Sequence, residues 1–405
     1  MSTASSQSDV NRSAVLAQIG ANGPASRAEL ARLIGVSPAL VTQITKQLLA
    51  DGLIVELEFT PSNGGRPARQ LGLAADAGHA IGVKVAPDHA TFVEVGIDGS
   101  VVRSATEPFD TAALTAVATL AGMLRGFIDG GGDRPLLGLG VGLPADVDDQ
   151  SLGNVNSTQL GWSRAPLGNV LRQELELPVL VENNVNALAM AEMLHGQARG
   201  HEDVLVVTIG TGIGAGIIAD GVIVRGHGGG AGEIGHFPVD REGPQCQCGA
   251  RGCLEAFIGQ DALVRRAKEQ GTIPASGTIT TLRTQADAGD AASVAMFAEA
   301  GGMLGRVVAG VANVLDPEIL ILLGEGIEAW AHWRDAFDEA FRSALMPRKR
   351  GLEVAVETWQ DDRWAQGAAS LVLATPFDAA GLAGEQGRLV RERLTGSGGA
   401  GRGGR

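Results

Sequence analysis

Every cysteine of the chain falls within eight residues, as Cys246, Cys248 and Cys253, and His236 lies just upstream in the pattern His-x9-Cys-x-Cys-x4-Cys. Three thiolates and one imidazole complete a tetrahedral zinc shell with no position left for water, so an ion held there would be structural and not catalytic. Thiols this close in sequence cannot staple distant parts of the chain as a disulfide framework does. The alternative is three unligated thiols in a reducing compartment. A second chemical feature precedes the cluster: the apolar run Val204 to Ile209 passes directly into Gly210-Thr211-Gly212-Ile213-Gly214-Ala215-Gly216. Backbone N–H groups in such a glycine loop can approach a ligand closely, although alternating glycines also occur in plain hairpins.

These residues need a scaffold, and the surrounding texture supplies one. Short apolar stretches at Ala80 to Val85, Thr91 to Ile97 and Leu136 to Gly142 read as strands, with a helical stretch from Thr111 to Phe127 between them. The body is therefore expected to be an α/β domain over residues 78–377.

Ahead of it, residues 10–75 have a different pattern. Val15, Leu16 and Ile19 recur at helical spacing until Asn22-Gly23-Pro24 breaks the chain. Ser26-Arg27-Ala28-Glu29 has the form of a capping box, and the helix it opens ends at Gly35. Ser37 with Pro38 then starts a third helix with the apolar stripe Val41, Ile44, Leu48 and Leu49. Small Ala31 at the crossing and Gly35 in the turn match the helix-turn-helix pattern. Pro38, Ala39, Thr42, Gln43 and Lys46 are expected on the outer face, where they can meet base edges and phosphates, with Arg27 beside them. Two apolar strands around Pro61 to Arg69 form a wing whose Arg66 and Arg69 can follow the backbone or enter a narrow minor groove. A surface helix pair with a solvated loop would share the periodicity alone.

Charge distribution agrees with a protein that touches a polyanion at one end. The formal net charge is −14, yet through Ala75 the basic residues Arg12, Arg27, Arg32, Lys46, Arg66 and Arg69 nearly balance Asp9, Glu29, Asp51, Glu56 and Glu58. An acidic body also simply keeps a protein soluble. At 405 residues the chain is long enough for two or three domains at roughly 150 residues each. No uninterrupted apolar run approaches the ~20 residues a bilayer span needs, and residues 1–9 lack the pattern of a secretory signal. A cytoplasmic location without membrane contact is expected. Residues 1–9 are expected to be disordered, and residues 383–405, rich in Gly, Ala and Arg, to form a disordered basic tail.

Taken together, Gly140-Val141-Gly142-Leu143-Pro144, Glu182-Asn183-Asn184-Val185-Asn186-Ala187, the Gly210 to Gly216 loop, Gly232-Glu233-Ile234-Gly235-His236 and the cysteine cluster ending in Gly252-Cys253-Leu254-Glu255 resemble the ROK family (repressors, open reading frames, kinases), in its DNA-binding branch. The resemblance implies a winged helix-turn-helix followed by two actin-like, ribonuclease-H-like lobes with a sugar bound in the cleft between them and a structural zinc. It further implies that Asn183, Glu233, His236 and Glu255 contact sugar hydroxyls, with His236 also ligating the metal. Carboxylates and amides at fixed angles suit hydroxyls that both donate and accept.

Departures from the family pattern separate a sensor from an enzyme. Family kinases carry Glu-Asn-Asp where this chain has Glu182-Asn183-Asn184, and the Asp is their general base, a loss typically costing roughly 10²–10⁴-fold in rate. Their first phosphate loop, Asp-x-Gly-Gly-Thr, is replaced by Lys84-Val85-Ala86-Pro87-Asp88, in which Pro87 offers no N–H and Asp88 repels phosphate. Leu323-Gly324-Glu325-Gly326 puts an acid into the glycine stretch expected near adenosine. The sequence is therefore expected to encode a sugar-responsive, non-enzymatic repressor of carbohydrate-utilisation genes that binds double-stranded operator DNA as a homodimer or higher oligomer. The alternatives are an ATP-dependent sugar kinase with a DNA-binding head and a ligand-independent regulator.

Overall fold

The computed structural model describes residues 7–60, 68–132, 134–148, 152–360, 362–377 and 384–394. The head comprises α1 (Gln7–Asn22), β1 (Ala25–Ser26), α2 (Arg27–Ile34), α3 (Pro38–Ala50), β2 (Ile54–Thr60) and β3 (Ala68–Leu73). Ser26 and Glu29 form the reciprocal capping box that starts α2, and Gly35 ends it at φ 72°, a left-handed conformation that glycine adopts without a steric penalty. Ser37 caps α3, with Pro38 in its first turn. The strands pair antiparallel in the order β1-β3-β2, a wing beside two crossing helices.

The chain divides into two compact units, the first holding residues up to Gly200 and again from Asp362, the second His201–Asp361. In the first, the head is followed by β4 (His79–Val85), β5 (His89–Gly96), β6 (Val101–Pro108), α4 (Ala116–Asp129), β7 (Leu136–Leu143), the small antiparallel β8 (Asp146–Val147), β9 (Val155–Ser157) and β10 (Trp162–Ala165), α5 (Leu167–Leu175), β11 (Val179–Asn183) and α6 (Asn184–His195). In the second come β12 (Val204–Ile209), β13 (Ile213–Ala219), β14 (Val222–Ile223), α7 (Glu255–Ile258), α8 (Gln260–Glu269), α9 (Ile279–Asp287), α10 (Ala291–Leu315), β15 (Ile319–Leu323), α11 (Trp330–Ala344) and β16 (Glu353–Val356). The chain then returns to the first unit as α12 (Arg363–Ala374) and α13 (Gly384–Leu394).

The two five-stranded sheets share one topology. Orders β6-β5-β4-β7-β11 and β14-β13-β12-β15-β16 each consist of an antiparallel three-strand meander extended by two parallel strands. Parallel strands need covered faces. Within the first unit α12 covers β4 and β7 so closely that a Cβ on Gly140 would lie 1.7 Å from the Ala368 carbonyl oxygen, and one on Gly82 1.8 Å from that of Ala365. Within the second, α10 and α11 bury Phe297, Leu304, Trp333, Phe337 and Phe341. Among the described residues α10 alone is long and apolar enough to cross a membrane. Glu299 and Arg306 interrupt it, and its apolar face is committed to this core.

Three expectations need correction. The 383–405 segment is not simply a disordered tail: Gly384–Leu394 is helical, Val390 and Leu394 are buried, and Gln386 Oε1 accepts from the Val179 amide at 3.2 Å. Helix α1 already begins at Gln7, inside the stretch 1–9 expected to lack structure. The helix expected from Thr111 starts at Ala116, because Asp110 accepts from the Ala112 amide and the Thr111 hydroxyl donates to the Pro87 carbonyl, which hold the intervening chain in a turn.

Candidate functional site

The metal-binding set is assembled by a loop of tight turns. The Cys246 amide donates to the Ala250 carbonyl at 2.8 Å, the Gly249 amide donates back to Cys246 at 3.0 Å, and short bridges pair Gln245 with Arg251 and Pro238 with Cys253. One ligand atom from each of His236, Cys246, Cys248 and Cys253 lies within 4.8 Å of all the others. Cys248 Sγ and Cys253 Sγ are 3.7 Å apart, and Cys246 Sγ is 3.5 Å from His236 Nδ1. Tetrahedral bonds of roughly 2.3 Å to sulfur and 2.0–2.1 Å to nitrogen would set those edges at about 3.8 and 3.6 Å, so the donor set fits zinc. Burial, then the neighbouring thiols, pushes the Cys253 thiol up to about 12, and burial also raises Cys246, whereas the Ala250 amide holds Cys248 below the ordinary thiol range. All three cysteines are free of disulfides.

The imidazole has two faces with different tasks. Nδ1 points into the sulfur cluster, and Nε2 lies 3.5 Å from Glu233 Oε2. A metal held on Nδ1 would leave the proton on Nε2, directed toward that carboxylate, so that ion and acid would orient one ring from opposite sides. Glu255, two residues beyond Cys253, opens α7. Its Oε2 accepts from the Ile213 amide at 3.1 Å and its Oε1 from Gln247 Nε2 at 2.8 Å. The second unit thus brings His236, Glu233, Glu255 and the cysteines into one neighbourhood. Gln247, whose position between Cys246 and Cys248 carries no signal of its own in the sequence, is part of it.

Asn183 belongs to the first unit, at the end of β11. Its Oδ1 accepts from the Val185 and Asn186 amides at 2.8 and 3.4 Å, capping α6, and its Nδ2 donates to the Ala145 carbonyl at 3.3 Å. Glu182, almost fully buried, accepts from the Asn183 amide at 2.9 Å and from Asn186 Nδ2 at 3.3 Å. Asn184 is the first residue of α6, and its Oδ1 also accepts from the Val185 amide, at 3.1 Å.

The stretch Lys84 to Asp88 turns back on itself: the Ala86 amide donates to the His89 carbonyl at 2.9 Å, and Asp88 is paired with His89 at 2.7 Å, which lowers its pKa. The glycine loop is a tight hairpin between β12 and β13, closed by the Gly210 amide on the Gly212 carbonyl at 3.1 Å. Glu325 Oε2 lies 2.4 Å from where a Cβ on Gly210 would stand.

On the head, Pro38, Ala39, Thr42, Gln43 and Lys46 are all exposed along one side of α3, while Val41, Ile44 and Leu48 are buried. Arg27 Nη2 donates to Glu56 Oε1 at 2.8 Å and its Nε to Thr45 Oγ1 at 3.1 Å, and Arg69 holds the other oxygen of Glu56. Arg27 first, then Arg69, holds the Glu56 carboxyl below the usual carboxylate range. Sequence reasoning missed Glu56, because its partners lie on α2 and across the wing. Arg66 lies outside the described residues.

Residues 80–375 match the model of the ROK family, and residues 8–55 match a winged helix-turn-helix DNA-binding model. The DNA-binding transcriptional dual regulator NagC of Escherichia coli (strain K12) is 30% identical over 374 residues, covering 90% of this chain and 92% of its own length. The xylose repressor of Bacillus subtilis (strain 168) is 29% identical over 324 residues, 79% of this chain and 83% of its own. A crystal structure of a ROK family transcriptional regulator, described as a homolog of E. coli MLC protein, superposes with a TM-score of 0.78 at 24% identity and covers 96% of this chain and 99% of its own.

Proposed function

The chain belongs to the ROK family as a sugar-responsive DNA-binding repressor, and from that premise we propose how its residues divide the work. Pro38, Ala39, Thr42, Gln43 and Lys46 meet base edges and phosphates of operator DNA in the major groove, and Arg27, Arg66 and Arg69 meet the backbone or the minor groove. Asn183, Glu233, His236 and Glu255 bind the hydroxyls of a monosaccharide or sugar derivative. His236 Nδ1 and the thiolates of Cys246, Cys248 and Cys253 would hold a zinc ion, which would supply rigidity that keeps Glu233 and Glu255 in register and no reaction chemistry. The regulator acts in the cytoplasm as a homodimer or higher oligomer, whose two heads read half-sites about 34–36 Å apart or a multiple of that. The observation that carries this reading is the exposed polar face of α3 on a fully capped helix-turn-helix.

No phosphoryl transfer accompanies sugar binding. Asn184 has no carboxylate to take a hydroxyl proton. Pro87 has no N–H, the Ala86 amide is committed to His89, and Asp88 is anionic where phosphate would need donors. Glu325 stands against Gly210 of the glycine loop. Sugar and operator binding are linked instead: a roughly 100-fold preference of the sugar for one arrangement of the heads supplies about 2.7 kcal/mol of coupling.

The test selects an operator from a randomised duplex pool with the full chain, then measures its affinity with xylose, N-acetylglucosamine or glucose present, alongside ADP release from ATP. The expected outcome is sequence-specific binding shifted at least about tenfold by one sugar, without turnover. Turnover at ordinary rates that is abolished by changing Asn184 would establish the kinase reading. A panel in which no sugar alters melting temperature or operator affinity would establish the ligand-independent one.

A further inference from the structure

The backbone passes between the two units twice, leaving the first after Gly200 and re-entering it at Asp362. A side chain beside each passage makes an unusual bond. Arg199 Nη2 donates to the carbonyl of Gly20, in the last turn of α1, at 3.0 Å. Continuation of the helix ladder would have that carbonyl accept from residue 24, but residue 24 is proline and has no N–H. The last regular bond of the ladder is therefore the Gly23 amide on the Ile19 carbonyl, at 3.0 Å. A carbonyl at the negative end of a helix, with no helical N–H to accept from, is a fitting seat for a guanidinium, and partial burial lowers the Arg199 pKa. Its planar end also lies 3.2–3.3 Å from where a Cβ on Gly23 would stand, at φ +88°. At the second passage Arg363 Nη2 donates to Glu192 Oε1 at 2.9 Å, and Glu192, almost fully buried at the end of α6, accepts on Oε2 from the Gln197 amide at 3.0 Å. Glu192 therefore ties the two passages together, and Arg199 lies two residues beyond Gln197.

We propose that Arg199 is a positioning residue of the DNA-binding head, through which a change at the two backbone passages, tied by Glu192 and Arg363, is delivered to the end of α1. The helix it grips is bonded to the body of the first unit by more than this one contact: Val15, Leu16 and Ile19 share an apolar core with Leu194, Leu371 and Val390. That core holds the head in place, and the Arg199 bond sets its angle. Asn183 caps the other end of α6, so the helix that carries Glu192 starts at a residue assigned to the sugar. The inference rests on the reading that a sugar governs operator affinity, but its first test needs no sugar.

Operator selected with the wild-type full chain is titrated with wild type, R199M, R363M and the double variant. Residues on one line of transmission are non-additive. Each single change is expected to shift operator affinity at least about 3-fold, with the double variant no further shifted than the larger single one. A double variant showing the product of the two shifts overturns the proposal. Hydrogen exchange supplies an independent arm: R199M should accelerate exchange of the amides at 21–23 by at least about tenfold while strand β7 (Leu136–Leu143) keeps its protection, and R199K should restore part of it. Uniform acceleration across the first unit would reduce Arg199 to a general stabiliser and defeats the proposal. With any sugar that shifts wild-type operator affinity, R199M should retain sugar binding and lose most of the shift. A wild-type chain that selects no operator defeats the functional reading, and the exchange arm still decides on Arg199.

Discussion

At Glu56 one carboxylate holds two of the arginines assigned to DNA. Arg27 reaches it from the first residue of α2 and Arg69 from the opposite strand of the wing. If these arginines meet phosphates as proposed, each guanidinium must exchange Glu56 for a phosphate oxygen when duplex arrives, and the carboxylate then weakens binding. Changing Glu56→Gln removes the competitor without changing shape. Affinity for nonspecific duplex should rise, and the slope of log K against log salt should steepen by about one to two, since each newly neutralised phosphate contributes roughly 0.9. Fluorescence anisotropy across a salt series checks this, and an unchanged slope would mean that neither arginine reaches the backbone. Little of this was legible in the sequence, since Glu56 is 29 residues from Arg27 and 13 from Arg69 and meets them only once the wing has folded. The capping pair Ser26 and Glu29 was legible, because a bond across three residues needs no tertiary fold to bring its partners together.

Between residues and molecule stand the elements, and the His236–Cys253 loop is the one on which the proposed sugar site would depend. Residues 236–253 contain no helix or strand longer than a single turn or bridge, so backbone bonding alone gives them little rigidity. Ligation at four points would replace what secondary structure does elsewhere, and Glu233 and Glu255 flank the candidate ligand set in sequence. Chelating the ion should release about one zinc per chain, raise hydrogen exchange from 233 to 255 with little change in β12, and weaken binding of any effector sugar by roughly 10–100-fold. Protein with no zinc and undiminished sugar binding would remove the metal from the account. The contact of α12 on the sheet makes the opposite point, that regular elements are held by close approach. Gly140→Ala would drive a methyl into the Ala368 carbonyl, and because backbone and not a flexible side chain stands there, a loss of about 3 kcal/mol or more is expected in urea unfolding. The metal pattern could be read directly because all its thiols are local. The α12 contact could not, because helix and strand lie more than 200 residues apart in sequence.

On the scale of the whole molecule, the head and the body of the first unit are joined by a shared core and not merely by a linker. Val15, Leu16 and Ile19 of α1 belong to one apolar cluster with Leu371 and Leu373 of α12 and with Val390 and Leu394 of α13. The segment that composition marks as a tail is therefore part of the wall against which the DNA-binding head rests. Its apolar pair sits four residues apart on one helical face, a signal too short to stand out among the surrounding Gly, Ala and Arg. Arg393 Nε adds a bond to the Leu136 carbonyl at 2.8 Å, and Gln386 a bond to the Val179 amide, so α13 fastens the edge of the sheet as well. Ending the chain after Phe377 exposes apolar surface on both sides of this contact. Two buried aliphatic side chains at about 1.5–3 kcal/mol each give an expected loss of roughly 3–6 kcal/mol. The loss should fall on the head and the body of the first unit together, because one core cannot be half removed: calorimetry should show both melting at a single, lowered temperature. Operator affinity would then fall although every residue assigned to DNA is intact. A truncated chain whose head melts where the wild-type head does, with unchanged operator binding, would show instead that the head is carried by its linker, and the route from Arg199 to the duplex would lose its mechanical basis.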